Sequence, residues 1–140
     1  MIKLPKPSDK ALKTFDICIS RVRNPELRAN LQSIRQLIKT AANEYETHGE
    51  NKSLHNIPET DLLGGCITRL EMIKTYDNRM VKADQPGRPI YDRIKLSAPN
   101  RRCPICNQRT VSTLDHYLPK SLHSALTVTP QNLVPSCSDC

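Results

Sequence analysis

Four of the six cysteines fall as two Cys-x-x-Cys pairs, Cys103/Cys106 and Cys137/Cys140, confined to the last 38 residues of a 140-residue chain. Each pair is spaced for a tight turn that sets two thiolates on one side of a metal. Two pairs supply the four tetrahedral ligands that zinc prefers, with none left over. A thioredoxin-type redox site would use one such pair in a strand–helix–strand setting, not two pairs flanking 30 intervening residues. So short a stretch, with few apolar side chains, also needs a staple of this kind to fold. The spacing therefore predicts a structural Zn²⁺ site. Cys18 and Cys66 stand alone within helix-like patterns and are expected to be buried spectators.

Paired thiols that hold metal imply a reducing compartment. Met1–Pro7 is basic and has no apolar segment behind it, which argues against a secretory signal. No apolar run approaches the ~20 residues a membrane helix requires. A cytoplasmic protein with no membrane association is expected. Lys plus Arg number 21 against 14 Asp plus Glu, a net charge of +7 that biases the chain toward anionic partners. Aromatic residues are only 4% of the chain, so a large aromatic core is excluded. Eleven prolines against four glycines favour stiff connections over flexible linkers.

Residues 1–98 read as a mainly helical region. Ser8 is placed to cap a helix through Ala11, Leu12, Phe15, Cys18, Ile19 and Val22. Asn24-Pro25 ends it and starts the next, with Pro25 at the favoured first helical position. Leu27, Leu31, Ile34, Ile38, Ala41 and Tyr45 then recur at helical spacing, up to a terminus at His48-Gly49. Residues 49–60 are polar, include Pro58 and read as a loop. A third helix is expected from about Leu63 to Val81, through Cys66, Ile67, Leu70, Ile73 and Met80, although Gly64-Gly65 weakens its start. Gln85 to Pro89 is a turn, Ile90 to Leu96 a short helix, and Pro99 a boundary. Between Arg79 and Arg102 lie seven basic residues (79, 82, 88, 93, 95, 101 and 102) against Asp84 and Asp92. This cluster reads equally as a solvated connector or as a phosphate-binding surface, the second reading gaining its weight from its place just before the cysteine module.

Between the two cysteine pairs, Thr110 to Leu114 is rich in β-branched residues and has strand character. It delivers Asp115 and His116 side by side, so that one can ligate a metal while the other faces a substrate. Pro119 stiffens the following turn, and Asn132 leads into Leu133-Val134, a returning strand. The ordered set Cys103/Cys106, Asp115-His116-Tyr117-Leu118-Pro119, Asn132-Leu133 and Cys137/Cys140 resembles the zinc-bearing HNH endonucleases, including endonuclease VII and many restriction and antiphage nucleases. The resemblance covers residues 101–140 alone.

That resemblance implies a small α+β ββα-metal module over residues 99–140, treble-clef-like, following the helical region 1–98. It also implies hydrolysis of DNA phosphodiester bonds in restriction or antiphage defence, leaving 5′-phosphate and 3′-hydroxyl ends. By the same resemblance His116 is the general base, Asp115 binds one catalytic Mg²⁺ or Mn²⁺, and Asn132 orients the loop or the imidazole. His123 lies outside the motif and reads as a loop residue. The family continues past its second cysteine pair with Asn or His, on a helix that adds a ligand to the catalytic metal. These 140 residues do not contain that helix, so they read either as a truncation of a longer nuclease, which the otherwise intact motif favours, or as a degenerate copy, in both cases expected to bind DNA but cut poorly. Two rivals belong to other classes. One is a zinc-ribbon module that binds DNA or RNA without catalysis. The other is an adaptor whose helical stripe over residues 27–45 docks a partner such as an ATPase.

Overall fold

The computed structural model describes residues 3–140. Helix α1 spans Ala11–Ile19, α2 Pro25–Ser33 and α3 Arg35–Glu50. A hairpin of two short strands, β1 (Leu62–Leu63) and β2 (Ile67–Thr68), leads into α4 (Arg69–Tyr76). Helix α5 (Arg88–Leu96) follows, and a second hairpin pairs β3 (Thr113–His116) with β4 (Leu133–Ser136). The fold is mixed, with helices dominating and two small antiparallel sheets beside them. Among the described residues no helix is long and apolar enough to cross a membrane.

The helical reading holds in outline and fails at three points. Ser8 does not cap α1. The helix begins at Ala11, with Lys10 at its cap position and no side-chain bond to the free amides. The segment before it is pinned instead by Asp9, which takes two hydrogen bonds from the Arg93 guanidinium on α5 (2.8 and 3.1 Å). The long second helix is two helices, broken at Ile34, whose backbone (φ −96°, ψ 5°) leaves the helical region. Just before the break, the Ser33 hydroxyl donates to the Asn30 carbonyl at 2.6 Å, a local bond that competes with the helical ladder. Ile34 stays wholly buried, so the apolar spacing continues in phase across the break. Leu31, Ile34, Ile38 and Tyr45 of that stripe all point into the core. Upstream, Asn24 caps α2 by accepting a hydrogen bond from the Leu27 amide at 3.0 Å.

The third helix starts six residues later than expected. Gly64 and Gly65 adopt φ of +58° and +70°, the left-handed region open to glycine, and turn the chain into the β1–β2 hairpin. Thr68 then caps α4, its hydroxyl accepting from the Glu71 amide. The shift changes which side chains are inside. Met72 and Tyr76 are buried, whereas Leu70 is 58% exposed. Cys66 is likewise half-buried rather than buried, with its Sγ 3.6 Å from Ser33 Oγ. Beyond Tyr76 a single wide π-helical turn, Asp77–Val81, brings Met80 into the core.

Residues on both sides of position 98 build one hydrophobic cluster. Phe15, Ile34, Ile38, Met72 and Met80 from the helical stretch meet Leu114, Val128 and Leu133 from the second hairpin and its connection. Helix α5 lies against both strands of that hairpin. Cys18 is fully buried here, and desolvation pushes its thiol up to about 12, so it is inert at neutral pH. Gly87 sits against it. A Cβ at position 87 would lie 2.8 Å from both Cys18 Sγ and the Arg79 carbonyl oxygen.

Candidate metal centre and the His116 site

The first cysteine pair sits on a tight loop that backbone bonds close. Arg102 and Thr110 form a bridge across its base, and the Cys103 amide donates to the Arg109 carbonyl at 2.8 Å. At its tip the Asn107 amide returns to the Cys103 carbonyl at 2.8 Å, with Asn107 itself at φ +56°. The second pair leaves the end of β4, where the Cys140 amide turns back to the Cys137 carbonyl. The four sulfurs come together, all within 4.8 Å of one another, with Cys106 and Cys137 at 3.9 Å. Zinc–sulfur bonds of about 2.3 Å give a tetrahedron with edges of roughly 3.8 Å, so the set fits one ion after a small contraction.

The first pair of thiols is biased toward the thiolate, whereas hydrogen bonding to the Cys137 thiol and desolvation push Cys140 up to about 12. Desolvation pushes the Cys103 thiol up, but hydrogen bonds from the amides of Cys106, Cys137 and Ile105 outweigh it and bring it down to about 6. The amides of Arg109 and Gln108 lower Cys106 as well. These four cysteines could hold a metal ion such as zinc.

The other end of the same hairpin carries the remaining site residues. Along β3, Leu114 points into the core, Asp115 is exposed and His116 is half-buried. The Asp115 carboxylate accepts the following amide, that of His116, at 2.9 Å. His116 Nε2 lies 2.8 Å from the Thr127 carbonyl oxygen. A carbonyl oxygen can only accept, so Nε2 carries the proton and the neutral ring has its lone pair on Nδ1. The ring also meets Tyr76 edge to face, with centroids 4.6 Å apart. Burial lowers the His116 pKa below its ordinary value, and Lys120 adds to this. The Thr127 bond and the carboxylates of Asp115 and Asp77 act in the opposite direction.

Asn132 is completely buried at the start of β4. Its Oδ1 accepts from the Leu118 amide at 2.8 Å, while Nδ2 donates to the carbonyls of Leu118 (3.0 Å) and Leu126 (3.3 Å). It therefore ties the 118–126 connection to the hairpin, and the imidazole is oriented by Thr127 instead. His123 is not a surface loop residue. It is 7% exposed and bridges to Thr60, and its Nδ1 has no hydrogen-bond partner. In the basic cluster, Arg88 pairs with Asp92 and Arg93 with Asp9, while Arg101 and Arg102 remain exposed.

Sequence reasoning missed Thr127, Tyr76, Asp77 and the setting of Lys120. Asp77 and Tyr76 lie far from the cysteine module in sequence, yet Lys120 Nζ sits 3.3 Å from Asp77 Oδ1 and 5.0 Å from the Tyr76 ring centroid. No local pattern announces such a contact. Only the shared core brings α4 to the hairpin.

No family model matches the chain, and no solved structure matches it. The chain is similar to Protein ea31 of Escherichia phage lambda, 27% identical over 147 aligned positions that cover all of this chain and 49% of that protein. The chain thus spans about half the length of this relative.

Proposed function

We propose that this chain is the HNH module, with its helical support, of a metal-dependent endonuclease that hydrolyses DNA phosphodiester bonds. The observation that carries this reading is the state of His116: a neutral imidazole, held through Nε2–H and offering Nδ1, next to an exposed carboxylate. Such a ring is suited to take a proton near neutral pH. The four cysteines keep the start of the hairpin in place through a structural zinc. Asp115 is a hard oxygen donor and would hold one Mg²⁺ or Mn²⁺. When bound, that ion supplies Lewis-acid stabilisation of the scissile phosphate and of the leaving 3′ oxygen. His116 Nδ1 accepts a proton from the water that attacks phosphorus. The bond to the 3′ oxygen breaks and a solvent water gives that oxygen a proton, leaving a 5′-phosphate and a 3′-hydroxyl, while the His116 imidazolium returns its proton to solvent. The net charge of +7 and exposed Arg101 and Arg102 support the nucleic-acid substrate. The reading includes restriction or antiphage defence as its setting.

One observation favours a second reading, a zinc module that binds nucleic acid without cutting it. Among the described residues the only group of three or more potential ligands is the cysteine set, which leaves Asp115 without a clustered partner. Nicking of supercoiled plasmid by the natural full-length chain, with Mg²⁺ or Mn²⁺, decides between them. The nuclease reading predicts metal-dependent nicking that falls by about 10²–10⁴-fold in His116→Ala with DNA affinity retained. Full activity in that variant would reject the mechanism, and binding without nicking would select the second reading.

A further inference from the structure

Tyr76 touches both the candidate base and a nearby cation. Its ring meets His116 edge to face, with centroids 4.6 Å apart, and carries Lys120 Nζ at 5.0 Å. Asp77, the next residue, holds the same ammonium at 3.3 Å. Lys120 therefore has its position set from α4 and the turn after it, although it belongs to the loop following Pro119. Arg69 at the start of α4 grips that loop too, donating to the Ser121 carbonyl at 3.1 Å. The Asp77–Lys120 pair is open to water, its side chains 51% and 34% exposed. Exposed pairs of this kind are weak, so an incoming phosphate can compete for the ammonium. An ammonium fixed by an aromatic face and a carboxylate is a point charge placed in advance of its ligand.

We infer that Lys120 contacts a phosphate of the nucleic-acid strand next to the one His116 serves, and that Tyr76 and Asp77 are the positioning residues that hold it there. The helical region is then part of the substrate site and not only its support. This inference rests on the nuclease reading for the role of His116, but the contact itself is read by binding alone.

The test is equilibrium binding of a labelled DNA duplex across a salt series, with the full chain and its variants. One lost phosphate contact lowers the slope of log affinity against log salt by about 0.9. Lys120→Met is expected to show that loss, with severalfold weaker binding at low salt and an unchanged melting temperature. Lys120→Arg should restore most of both. Asp77→Asn should bind DNA at least as well as the wild type while cleaving more slowly, a loss in kcat without a rise in KM. Tyr76→Leu, which removes the aromatic face, should shift affinity and slope toward those of Lys120→Met, and Tyr76→Phe, which keeps the ring, should rescue both. A Lys120→Met protein with wild-type affinity and slope overturns the inference and leaves the nuclease reading standing. Failure of the wild-type chain to bind any nucleic acid overturns both. Normal cleavage by His116→Ala, with the Lys120 slope change present, overturns the nuclease reading alone.

Discussion

The two ends of the β3–β4 hairpin are held by different physics. At the Thr113/Ser136 end the chain runs into the cysteine loops, where Ile105 is 43% exposed and positions 107–110 are exposed throughout. Beyond Cys103, Pro104, Val111 and Cys137 little apolar surface is buried there, so the four sulfurs are the main tie between the two cysteine loops. At the His116/Leu133 end, Leu114, Val128 and Leu133 join the main core, Asn132 satisfies three backbone groups, and Tyr76 covers the imidazole. One end depends on a ligand and the other on packing. On this basis the His116 imidazole, at the packed end, is expected to keep its geometry whether or not metal is present at the other.

The largest expected effect lies at the metal end. Structural zinc contributes on the order of 10–16 kcal/mol of apparent binding free energy in small modules. Elemental analysis should find one zinc per chain, and Cys103→Ser should lose it and expose the remaining thiols to alkylation. The second effect belongs to Asn132. Asn132→Ala leaves the Leu118 amide and carbonyl buried without partners, at about 1–3 kcal/mol for each unsatisfied group before relaxation, while the Leu126 carbonyl keeps the Thr129 amide. Its melting temperature should drop more than that of any single surface variant, at unchanged zinc content. A zinc-free but equally stable Asn132→Ala protein would erase the distinction between the two ends.

Gly87→Ala comes third. The added Cβ would meet Arg79 backbone and Cys18 Sγ at 2.8 Å, an overpacking that costs about 1–3 kcal/mol. Chemical denaturation should show it, again with zinc retained. The smallest effect is that of pH. Burial holds the His116 pKa below its unfolded value, so the folded state binds fewer protons. Stability is therefore complete above the unfolded pKa of about 6.5 and falls as the pH drops below it. His116→Gln should flatten that part of the pH profile.

The four-cysteine cluster was legible because candidate zinc ligands come as local pairs with a fixed chemical demand. Cys103, Cys106, Cys137 and Cys140 needed only spacing to be found, and their sulfurs do converge. The second hairpin was legible too, within a few residues, because β-branched Thr110 to Leu114 leads toward it and Asn132-Leu133 opens the return. What could not be read was anything decided at long range. The start of α4 depended on whether Gly64-Gly65 would be tolerated in a helix or used at positive φ, and the hairpin turn won. The break at Ile34 leaves the hydrophobic spacing intact, so periodicity is blind to it. His123 looked like a loop histidine, yet the Thr60 bridge buries it. The contacts of Tyr76 with His116 and of Asp77 with Lys120 exist only because α4 and the hairpin share one core.

Amide hydrogen exchange of the zinc-loaded full chain, with and without a strong chelator, tests the independence of the two ends most directly. The account predicts that chelation exposes the amides of Cys103, Asn107 and Val111, which close the first cysteine loop. The amides of Tyr117, Leu118 and Asn132 should keep their protection, because side-chain and backbone bonds at the packed end hold them. Loss of protection at all six positions together would contradict it, and would make the metal the keystone of the whole hairpin.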